Sequence, residues 1–329
     1  MGNTAEDVKV IDKLQEAAFN FFVRGDQGIL WPYVYGAPQD TGDPVRGGLL
    51  YNEVLENDSD YYLYHLEAAL FQQKGEQLAS LIGPGATFIE LGPGSEQSLR
   101  LKTVPLLQFC KDLRGYIGID ISQSFLDKGL AVIKSEFPDI LIDGIQQDFT
   151  QLKELPTFEK SVVFFKGSTI SNMTRDEVPS FINGIGQFAH PDHLLLIVHD
   201  ANQDEVSLMK AYDTPRVALF IKNIMYRMAR DSGAIGLNPE SFRYKPQWDV
   251  ANHDFKHVLI ATEDQKFSLQ DHTVTITKGE AFHVFSSFKY PIDTFQNIIY
   301  SAGYRPRDVI LDDSGRMVAH LFTQFNSRS

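Results

Sequence analysis

Short apolar runs and helical segments alternate through the middle of the chain, and this order constrains the fold more than any other feature. The apolar runs are Thr87–Leu91, Tyr116–Ile121, Ile140–Ile145, Ser161–Phe165 and His193–His199. Segments with helical periodicity lie between them, at Gln97–Leu113, Gln123–Phe137 and Arg175–Ala189. Such alternation is typical of a parallel sheet with helices on both faces. We therefore predict an α/β fold built on a doubly wound, Rossmann-like sheet.

A glycine turn follows the first apolar run, in the segment Glu90-Leu91-Gly92-Pro93-Gly94-Ser95. Glycine has no Cβ, so a ligand can lie against the main chain of such a turn. A strand that enters a glycine turn and is followed by a helix indicates nucleotide binding. A nicotinamide-binding turn would have a third glycine where this chain has Gln97, and no P-loop pattern is found. The pattern therefore disfavours a dehydrogenase and a P-loop NTPase.

Three further signals stand at the ends of the next predicted strands. Asp120 lies 28 residues after Gly92, close to the spacing at which an acidic residue receives a ribose hydroxyl pair. Asp148 and Phe149 end the third strand and could take the amino group and the ring of adenine. Gly167-Ser168 leaves the fourth strand. Each is equally compatible with a turn glycine or a capping residue, but together they predict a cofactor site at the carboxyl edge of the sheet.

The remaining chain predicts elements that do not belong to this sheet. Helices are predicted at Asp7–Val23, Gly48–Leu55, Leu63–Ile82, Gln203–Ala229 and Pro291–Ala302. Short strands at Lys256–Thr262, Lys266–Leu269, Thr273–Thr277 and Ala281–Phe288 predict an inserted antiparallel sheet. A closing hairpin is predicted from Asp308–Leu311 and Met317–Phe325. Between residues 25 and 48 the chain is irregular and aromatic, and its segment Trp31–Tyr35 is a candidate lid or pocket wall, with surface packing as the alternative.

Charge and composition restrict the class of partner. The formal net charge of −13 disfavours nucleic acid and anionic membranes, which both require a basic surface. No apolar run approaches the length of a membrane span, and the polar, acidic start does not resemble a signal peptide. The single cysteine, Cys110, fits a reducing cytoplasm. His190 and His193 would form at best a partial metal site, so no metal is predicted.

Several motifs together resemble one family, the amino-acid Nα-methyltransferases that use S-adenosylmethionine (SAM). This family is typified by the histidine-specific enzyme of ergothioneine biosynthesis and includes fungal enzymes that methylate dimethylallyltryptophan. The glycine turn with its preceding Glu90 is the form seen in SAM methyltransferases. The most specific matches are Gly167-Ser168-Thr169-Ile170-Ser171-Asn172 and Lys210-Ala211-Tyr212-Asp213. Tyr61-Tyr62 with Glu67, Trp248, and Ser287-Phe288-Lys289-Tyr290 add to the likeness, whereas the first 47 residues match poorly.

The resemblance implies a role for each matching residue. Asn172 and Tyr212, with a tyrosine of the pair Tyr61-Tyr62, would hold the carboxylate and amino group of an amino acid. SAM would be held by Glu90, Gly92, Gly94, Ser95, Asp120, Asp148, Phe149, Gly167 and Ser168. Methyl transfer from a sulfonium requires a neutral amine, so neutral hydrogen-bonding groups suit the site better than a strong acid would. No general base is nominated.

The chain departs from the histidine-specific pattern at the end that would receive the side chain of the substrate. Phe285 stands where the family has a glutamate that binds the imidazole, while Ser287 remains. His257 stands at a methionine position, and Ser98 replaces a lysine. Losing a carboxylate and gaining apolar surface makes histidine a doubtful substrate. Tyr33 and Tyr35 of the aromatic segment, with His257, Phe285 and Ser287, are the predicted substrate-binding residues.

We therefore expect a SAM-dependent N-methyltransferase that acts on an amino acid or a related amine of secondary metabolism, with an aromatic, apolar or modified side chain. Three alternatives stay open: histidine itself, methylation of a ring nitrogen or oxygen on the same scaffold, and a non-catalytic SAM-binding protein. The predicted SAM-binding domain comprises residues 64–202 and 289–329. Residues 1–63 and 203–288 form the predicted substrate-binding domain, and a small molecule is the only predicted partner.

Overall fold

The chain folds into two compact units in a computed structural model that describes residues 13–35, 47–152 and 154–325. The N-terminal unit comprises the described residues of Met1–Tyr61 and Asp204–Phe288. The sheet unit comprises the described residues of Tyr62–Gln203 and Lys289–Ser329. The domain boundaries expected from the sequence differ from these by at most two residues.

Thirteen strands occur in the described residues. They are β1 Thr87–Leu91, β2 Gly115–Asp120, β3 Leu141–Gln146, β4 Ser161–Phe165, β5 Leu194–Asp200, β6 Ala234–Ile235, β7 Phe242–Asp249, β8 Asp254–Ala261, β9 Gln265–Leu269, β10 His272–Ile276, β11 Ala281–Phe288, β12 Tyr304–Leu311 and β13 Met317–Gln324. The five apolar runs of the predicted parallel sheet correspond to β1–β5, with ends that differ by one residue at most.

The sheet unit contains one seven-stranded sheet in the order β12-β13-β5-β4-β1-β2-β3. Strands β1–β5 are parallel, and β13 runs antiparallel to β5 and to β12 as the predicted hairpin. The chain leaves β1 toward β2 and β3 and then returns to β4 on the other side of β1. Such a reversal opens a crevice at the carboxyl ends of the strands, where doubly wound sheets bind ligands. The α/β, Rossmann-like fold expected from the sequence is confirmed.

The helices of the sheet unit follow the predicted pattern with one exception. They span Tyr62–Ile82, Glu96–Ser98, Val104–Phe109, Gln123–Glu136, Glu177–Phe188 and Ile292–Ser301. The exception is the single helix predicted for Gln97–Leu113. It contains a π-helical segment at Leu99–Thr103, in which the N–H of Val104 bonds to the carbonyl of Leu99, and it ends at Phe109. The π segment inserts one residue into the helix directly after the glycine turn.

The N-terminal unit combines helices with two small antiparallel sheets. Residues 13–24 are helical, and further helices span Trp31–Val34, Gly47–Asn57, Glu205–Tyr212 and Pro215–Asp231. The sheets have the orders β10-β9-β6 and β11-β8-β7. The predicted antiparallel insertion is therefore present. The start of the predicted 7–23 helix and residues 36–46 of the irregular 25–48 segment lie outside the described residues.

Two predictions for the N-terminal unit were wrong in detail. The helix predicted for Gln203–Ala229 is interrupted, because the Thr214 side chain accepts a bond from the N–H of Val217 and caps a new helix that begins at Pro215. Strand β7 was not predicted. It is an edge strand whose residues alternate between buried and exposed positions, but Pro246 lies within it, and a proline inside a run argues against a strand. None of the helices in the described parts of the chain combines the length and apolar character needed to cross a bilayer.

Candidate active site

The glycine turn after β1 has the backbone that only glycine adopts easily. Gly92 and Gly94 have φ angles of 67° and 76°. The N–H of Gly92 bonds to the carbonyl of Ile119 at 2.8 Å, which fixes the turn against the end of β2. A Cβ on Gly92 would lie 3.2 Å from Cε1 of the Phe149 ring. The turn is thus a backbone cradle that a side chain would fill. Ser95 caps the next helix by accepting from the N–H of Ser98 at 3.2 Å.

The buried side chain of Lys166 supports this turn from the interior of the sheet unit. Its ammonium donates to the carbonyl of Pro93 at 2.7 Å and to Oγ of Ser98 at 3.3 Å, and lies 2.6 Å from Oε1 of Glu90. The Glu90 carboxylate is 0% exposed and also accepts from Tyr116 OH at 2.7 Å. Glu90 was predicted to bind the cofactor. In the structure its buried carboxylate pairs with Lys166, which anchors the turn, and its contact with the cofactor stays a prediction.

A second buried ion pair ties the turn after β4 to the same region. Oε2 of Glu67 lies 2.5 Å from Nζ of Lys102, and its Oε1 accepts from the N–H of Gly167 at 2.6 Å. Thr103, the residue after Lys102, donates instead to Glu90 at 3.0 Å. In an α-helix consecutive residues are about 100° apart around the axis, so two neighbours rarely face the same buried region. The residue inserted by the π segment changes this spacing and lets Lys102 and Thr103 both point inward. Two lysines and two glutamates therefore form a charge-balanced frame under both turns.

Asp120 ends β2 beside the turn and is 9% exposed. Its Oδ1 accepts from the N–H of Ser122 at 2.9 Å, and the N–H of Gly94 also donates to its carboxylate. Burial raises the pKa of Asp120, and these backbone hydrogen bonds oppose that rise. The next residue, Ile121, is an apolar side chain with 59% exposure. A carboxylate and an exposed apolar surface thus lie side by side at the carboxyl edge of the sheet.

Asp148 and Phe149 follow β3. Asp148 caps a short 3₁₀ turn, since its Oδ1 accepts from the N–H and the hydroxyl of Thr150 at 2.9 and 2.6 Å. The Phe149 ring packs edge-on against Phe165 and Phe181, with centroids 5.3 and 6.2 Å apart. A groove of about 260 Å³ opens beside this ring. One carboxylate oxygen of Asp148 therefore caps the 3₁₀ turn, as the alternative interpretation of this residue expected. The Phe149 ring lies over the glycine turn.

These groups fit SAM. The turn at Gly92 lets a ligand approach the main chain. Asp120 offers an acceptor for ribose hydroxyls, and the apolar surfaces of Ile121 and Phe149 offer contacts for a ring. These residues follow β1, β2 and β3, which are adjacent in the sheet, and β1 borders the reversal of strand order. The contact of each individual residue with the cofactor stays a prediction.

The segment after β4 carries Gly167, Ser168 and Asn172. Gly167 and Ser168 both have left-handed backbone, with φ angles of 78° and 54°. A 3₁₀ turn spans Thr169–Asn172, and Asn172 is 6% exposed at its end. A left-handed serine is uncommon and indicates a backbone held for a purpose other than stability.

The two tyrosines Tyr61 and Tyr62 belong to different units. Tyr62 lies in the sheet unit, where its hydroxyl donates to Oδ2 of Asp200 at 2.6 Å and accepts from Nδ2 of Asn202 at 2.9 Å. Asp200 is fully buried and lies 3.1 Å from Nζ of Lys289. Tyr61 lies in the N-terminal unit. The structure therefore separates the predicted pair into two environments.

The N-terminal unit contains a cavity with about 280 Å³ of empty space, a value that includes open solvent at its mouth. Six of its lining residues were predicted from the sequence: Tyr35, Tyr61, Tyr212, His257, Phe285 and Ser287. Five were not: Tyr51, Val54, Val217, Phe220 and Ile221. The latter lie on the Gly47–Asn57 and Pro215–Asp231 helices, where the sequence signals only an amphipathic face. Their cavity role could not be distinguished from ordinary core packing.

Tyrosine rings form one wall of this cavity. The rings of Tyr51, Tyr61 and Tyr212 lie next to one another in this wall. The ring centroids of Tyr61 lie 6.4 Å from Tyr51 and 5.5 Å from Tyr212, both edge-on. Burial raises the pKa of Tyr61 well above its ordinary value, so its hydroxyl is neutral. This wall therefore offers uncharged hydrogen-bonding groups.

His257 and Phe285 form the opposite wall. They are cross-strand neighbours on β8 and β11, and a register shift between His283 and Phe285 brings them into this alignment. Their rings stack with centroids 4.3 Å apart. Nδ1 of His257 lies 2.8 Å from Tyr244 OH, and its Nε2 lies 3.2 Å from Oγ of Ser287. His257 is thus a buried hydrogen-bonding residue that also lines the cavity, and its contact with the substrate stays a prediction.

Tyr33 does not line the cavity. Its hydroxyl donates to the carbonyl of Lys13 at 3.2 Å, and Arg227 bonds to its carbonyl oxygen. Within the aromatic segment only Tyr35 reaches the cavity, where its ring meets Tyr51 with centroids 5.0 Å apart. The structure places Tyr35 in the cavity wall and Tyr33 outside it, and the substrate contacts of both residues stay predictions.

The sheet and its crevice are compatible with a SAM-dependent methyltransferase, and the family match assigns the protein to this class. Residues 43–324 match the family described as histidine-specific, SAM-dependent methyltransferases, and the chain belongs to this family. It is 26% identical to a histidine N-alpha-methyltransferase of Mycobacterium tuberculosis, over 83% of this chain and 86% of that protein. It is 24% identical to N-methyltransferase imqF of Aspergillus flavus, over 82% and 76% of the two chains. It is 22% identical to the 4-dimethylallyltryptophan N-methyltransferase easF of Arthroderma benhamiae, over 75% and 77%.

The family resemblance, the enzyme class and the SAM cofactor expected from the sequence are thereby confirmed. The identity of the methyl acceptor is a separate question, because relatives with different acceptors in their names have nearly the same identity to this chain.

Proposed function

We propose that the protein transfers a methyl group from SAM to the α-amino nitrogen of an amino acid, or a close derivative, whose side chain is aromatic or apolar. The observation that carries this proposal is the lining of the cavity in the N-terminal unit. Its eleven residues include no carboxylate and no cation, and seven of them carry aromatic rings, including His257. An uncharged aromatic side chain is favoured there, whereas a charged one would lose its hydration without a counter-ion.

The cofactor would be held by the carboxyl edge of the sheet unit. Gly92 and Gly94 would bind it through the main chain, Asp120 through its ribose, and Asp148 and Phe149 through adenine. Ser95, Gly167 and Ser168 would complete the site, with Glu90 acting through Lys166. When bound, SAM supplies a methyl group activated by the sulfonium charge. The protein supplies position and a dry environment for the amine, which are the main requirements of an in-line transfer.

The amino-acid backbone would be bound by neutral groups. Tyr61 and Tyr212 are buried in the cavity lining, and Asn172 is buried at the end of the 3₁₀ turn after β4. Neutral amide and phenol groups hold an amine without favouring its protonated form, as a carboxylate would. Tyr62 acts in the sheet unit through Asp200. These assignments follow from the family resemblance together with the burial of each group.

The side-chain end of the acceptor would contact Phe285, Ser287 and His257. Phe285 is 2% exposed and stacks on His257, so this wall offers a flat apolar surface with one hydroxyl beside it. An imidazole would find no carboxylate among these residues. This supports an aromatic or modified aromatic amino acid over histidine.

Two finer expectations belong to the same proposal. The net charge of −13 supports a small-molecule acceptor of secondary metabolism over nucleic acid. The buried single thiol of Cys110 is compatible with a cytoplasmic, reducing location.

The proposal is tested with purified protein, SAM and a panel containing tryptophan, tyrosine, phenylalanine and histidine, with products read by mass spectrometry. We expect methylation of an aromatic amino acid at the α-nitrogen, located by fragmentation. N-acetyltryptophan serves as the matched control, because its α-nitrogen is blocked while its ring is unchanged. Methylation of the blocked analogue would favour ring-nitrogen chemistry, and histidine as the best acceptor would show that Phe285 was misinterpreted.

A further inference from the structure

Glu67 is a buried carboxylate whose two oxygens serve different partners. It lies on the Tyr62–Ile82 helix and is 2% exposed. Its Oε2 lies 2.5 Å from Nζ of Lys102, and its Oε1 accepts from the N–H of Gly167 at 2.6 Å. A buried charge is costly unless it is paired and hydrogen-bonded, and the two oxygens meet these two conditions separately. Glu67 therefore joins an ion pair on one side to a single main-chain hydrogen bond on the other.

Gly167 is a position at which side-chain packing does little to fix the backbone. Its φ is 78°, and glycine adopts such a left-handed conformation about as readily as a right-handed one. Among the described residues beyond its chain neighbours, a Cβ at Gly167 would meet one atom within 4 Å, Oγ1 of Thr169 at 3.7 Å. The residue type permits other conformations, and the space beside its Cα is open. The hydrogen bond to Glu67 is therefore what restrains this conformation.

The residue before Gly167 is held by other contacts. Nζ of Lys166 donates to the carbonyl of Pro93 at 2.7 Å and lies 2.6 Å from Oε1 of Glu90. Lys166 is 3% exposed. These contacts attach the start of the segment to the glycine turn, on the proposed cofactor side, and they do not involve Glu67.

The residues after Gly167 form a short turn with its own hydrogen bonds. The 3₁₀ turn spans Thr169–Asn172, and the N–H of Met173 bonds to the carbonyl of Ile170 at 3.1 Å. This bond lies within the turn, so it fixes the shape of the turn and not its direction from β4. That direction depends on the backbone angles at Gly167. A small rotation there is carried to Asn172, five residues later.

We propose that Glu67 is a positioning residue for methyl transfer, which places the amide of Asn172 by holding the N–H of Gly167. The proposal rests on the proposed function, in which Asn172 holds the acceptor. In-line transfer depends on where the amine nitrogen lies, and a misplacement of about 1 Å lowers the rate by up to about 100-fold. Lys102 acts one step further away, because it holds the carboxylate of Glu67 through their ion pair.

The ion pair and the hydrogen bond can be separated by mutation, because they use different oxygens of Glu67. Glu67→Gln removes the charge and keeps a carbonyl oxygen for the N–H of Gly167. Glu67→Met has a similar length and removes the acceptor as well. Each change is combined with Lys102→Met, so that neither double variant contains an unpaired buried charge. The new thioether packs well beside an aromatic ring, and Nζ of Lys102 lies 4.3 Å from the ring centroid of Tyr64.

The test compares steady-state kinetics of the two double variants and the wild type, with the best acceptor of the amino-acid panel, histidine included. Rates are expressed per SAM-binding site counted by calorimetry, so that a loss of folded protein does not lower kcat. Glu67→Gln with Lys102→Met should keep kcat within about threefold of the wild type, since an uncharged replacement of a buried pair is often tolerated. In Glu67→Met with Lys102→Met, kcat should fall at least about tenfold, and KM for the acceptor should change less. SAM affinity should stay within about threefold in both, because the Lys166 anchor is intact.

Glu177→Met is the matched control in the same unit. Oε2 of Glu177 accepts from the N–H of Thr174 at 2.7 Å, so this change also removes a carboxylate from a main-chain donor. Both residues are exposed and follow Asn172 in the chain, so water replaces the lost bond. Its kcat should equal that of the wild type.

A role of Glu67 in stability alone predicts a different result. The two double variants would then differ in thermal unfolding and have equal kcat per SAM-binding site, which would overturn the positioning role and leave the proposed function intact. A loss of SAM affinity as large as the loss of kcat would also overturn it, because the segment would then serve the cofactor. A wild-type protein that methylates no member of the panel would overturn the proposed function and this inference with it.

Discussion

Replacing Lys166 with methionine tests whether the buried frame under the glycine turn is held by ion pairing. The substitution keeps most of the side-chain volume and removes the ammonium group that bonds to Glu90, Pro93 and Ser98. Glu90 is then left as a carboxylate with 0% exposure and no cation beside it. Removing one partner of a buried pair costs about 3–5 kcal/mol.

The structure places the expected cost at the lower end of that range. Glu90 keeps its hydrogen bonds from Tyr116 OH at 2.7 Å and from Thr103 Oγ1 at 3.0 Å. Each such bond to a charged acceptor offsets part of the lost Coulomb energy. We expect Lys166→Met to lower the free energy of unfolding by about 3 kcal/mol. For a folding unit of this size the melting temperature should fall by roughly 6–12 °C.

The assay is thermal and urea unfolding of Lys166→Met, Glu90→Gln and the double variant. The double variant removes both charges, so it should be less destabilised than the sum of the single variants by about 1 kcal/mol or more. Lys160→Met is the matched control, since Lys160 bonds only to the carbonyl of Pro84 at 2.8 Å and lies near the surface. SAM affinity, measured by calorimetry, should fall about tenfold in Lys166→Met, because the Pro93 carbonyl loses its anchor. If Lys166→Met costs no more than Lys160→Met, or the two changes are additive, the ion-pair reasoning is refuted.

Four further changes test other parts of the molecule. Asn172→Ala should abolish methyl transfer and leave SAM affinity nearly unchanged, since its amide is expected to bind the acceptor; turnover and calorimetry measure the two effects separately. Phe285→Glu restores a carboxylate to the cavity wall and should shift preference toward histidine, read by competition between histidine and tryptophan. Gly92→Ala should weaken SAM binding and cost about 1–2 kcal/mol of stability, because φ is 67° and the new Cβ would lie 3.2 Å from Phe149, whereas Gly184→Ala meets no atom within 4 Å and should be neutral or slightly stabilising. Burial lowers the pKa of His199 to about 4, so the unfolded chain binds a proton near pH 6.5 that the folded protein does not bind. The pKa values of His193, His283 and His320 are lowered as well, so urea unfolding should show that the stability lost between pH 7 and pH 5 is smaller in His199→Gln than in the wild type by about 2 kcal/mol.

The parallel sheet and its cofactor turn were predictable because their signals are local. Each strand from β1 to β5 is a short apolar run, and Gly92 and Asp120 stand at fixed distances from those runs. Strand β7 is not such an apolar run, since its apolar and polar residues alternate and Pro246 within it argues against a strand. The helix break at Thr214-Pro215 did carry a signal, a capping residue before a proline, which the apolar periodicity of the flanking segments obscured.

The long-range side-chain contacts of the site could not be predicted from the sequence. Lys166 is 76 residues from Glu90, and Glu67 is 100 residues from Gly167, so only the folded sheet brings these groups together. Tyr33 and Tyr35 have the same chemistry two positions apart, and a four-residue helix decides which of them reaches the cavity. Sequence patterns identify the residue types of a site, whereas contacts over such separations depend on the completed fold.

The π-helical segment at Leu99–Thr103 should restrict insertions and deletions at this point of the chain. Its extra residue lets Lys102 and Thr103 serve two different carboxylates, Glu67 and Glu90. Single substitutions on its solvent side should be well tolerated. A one-residue deletion would restore regular helix and rotate one of the two inward side chains away, leaving a buried carboxylate without its donor. Natural variation here should therefore appear as exchanged residues and almost never as a change in length.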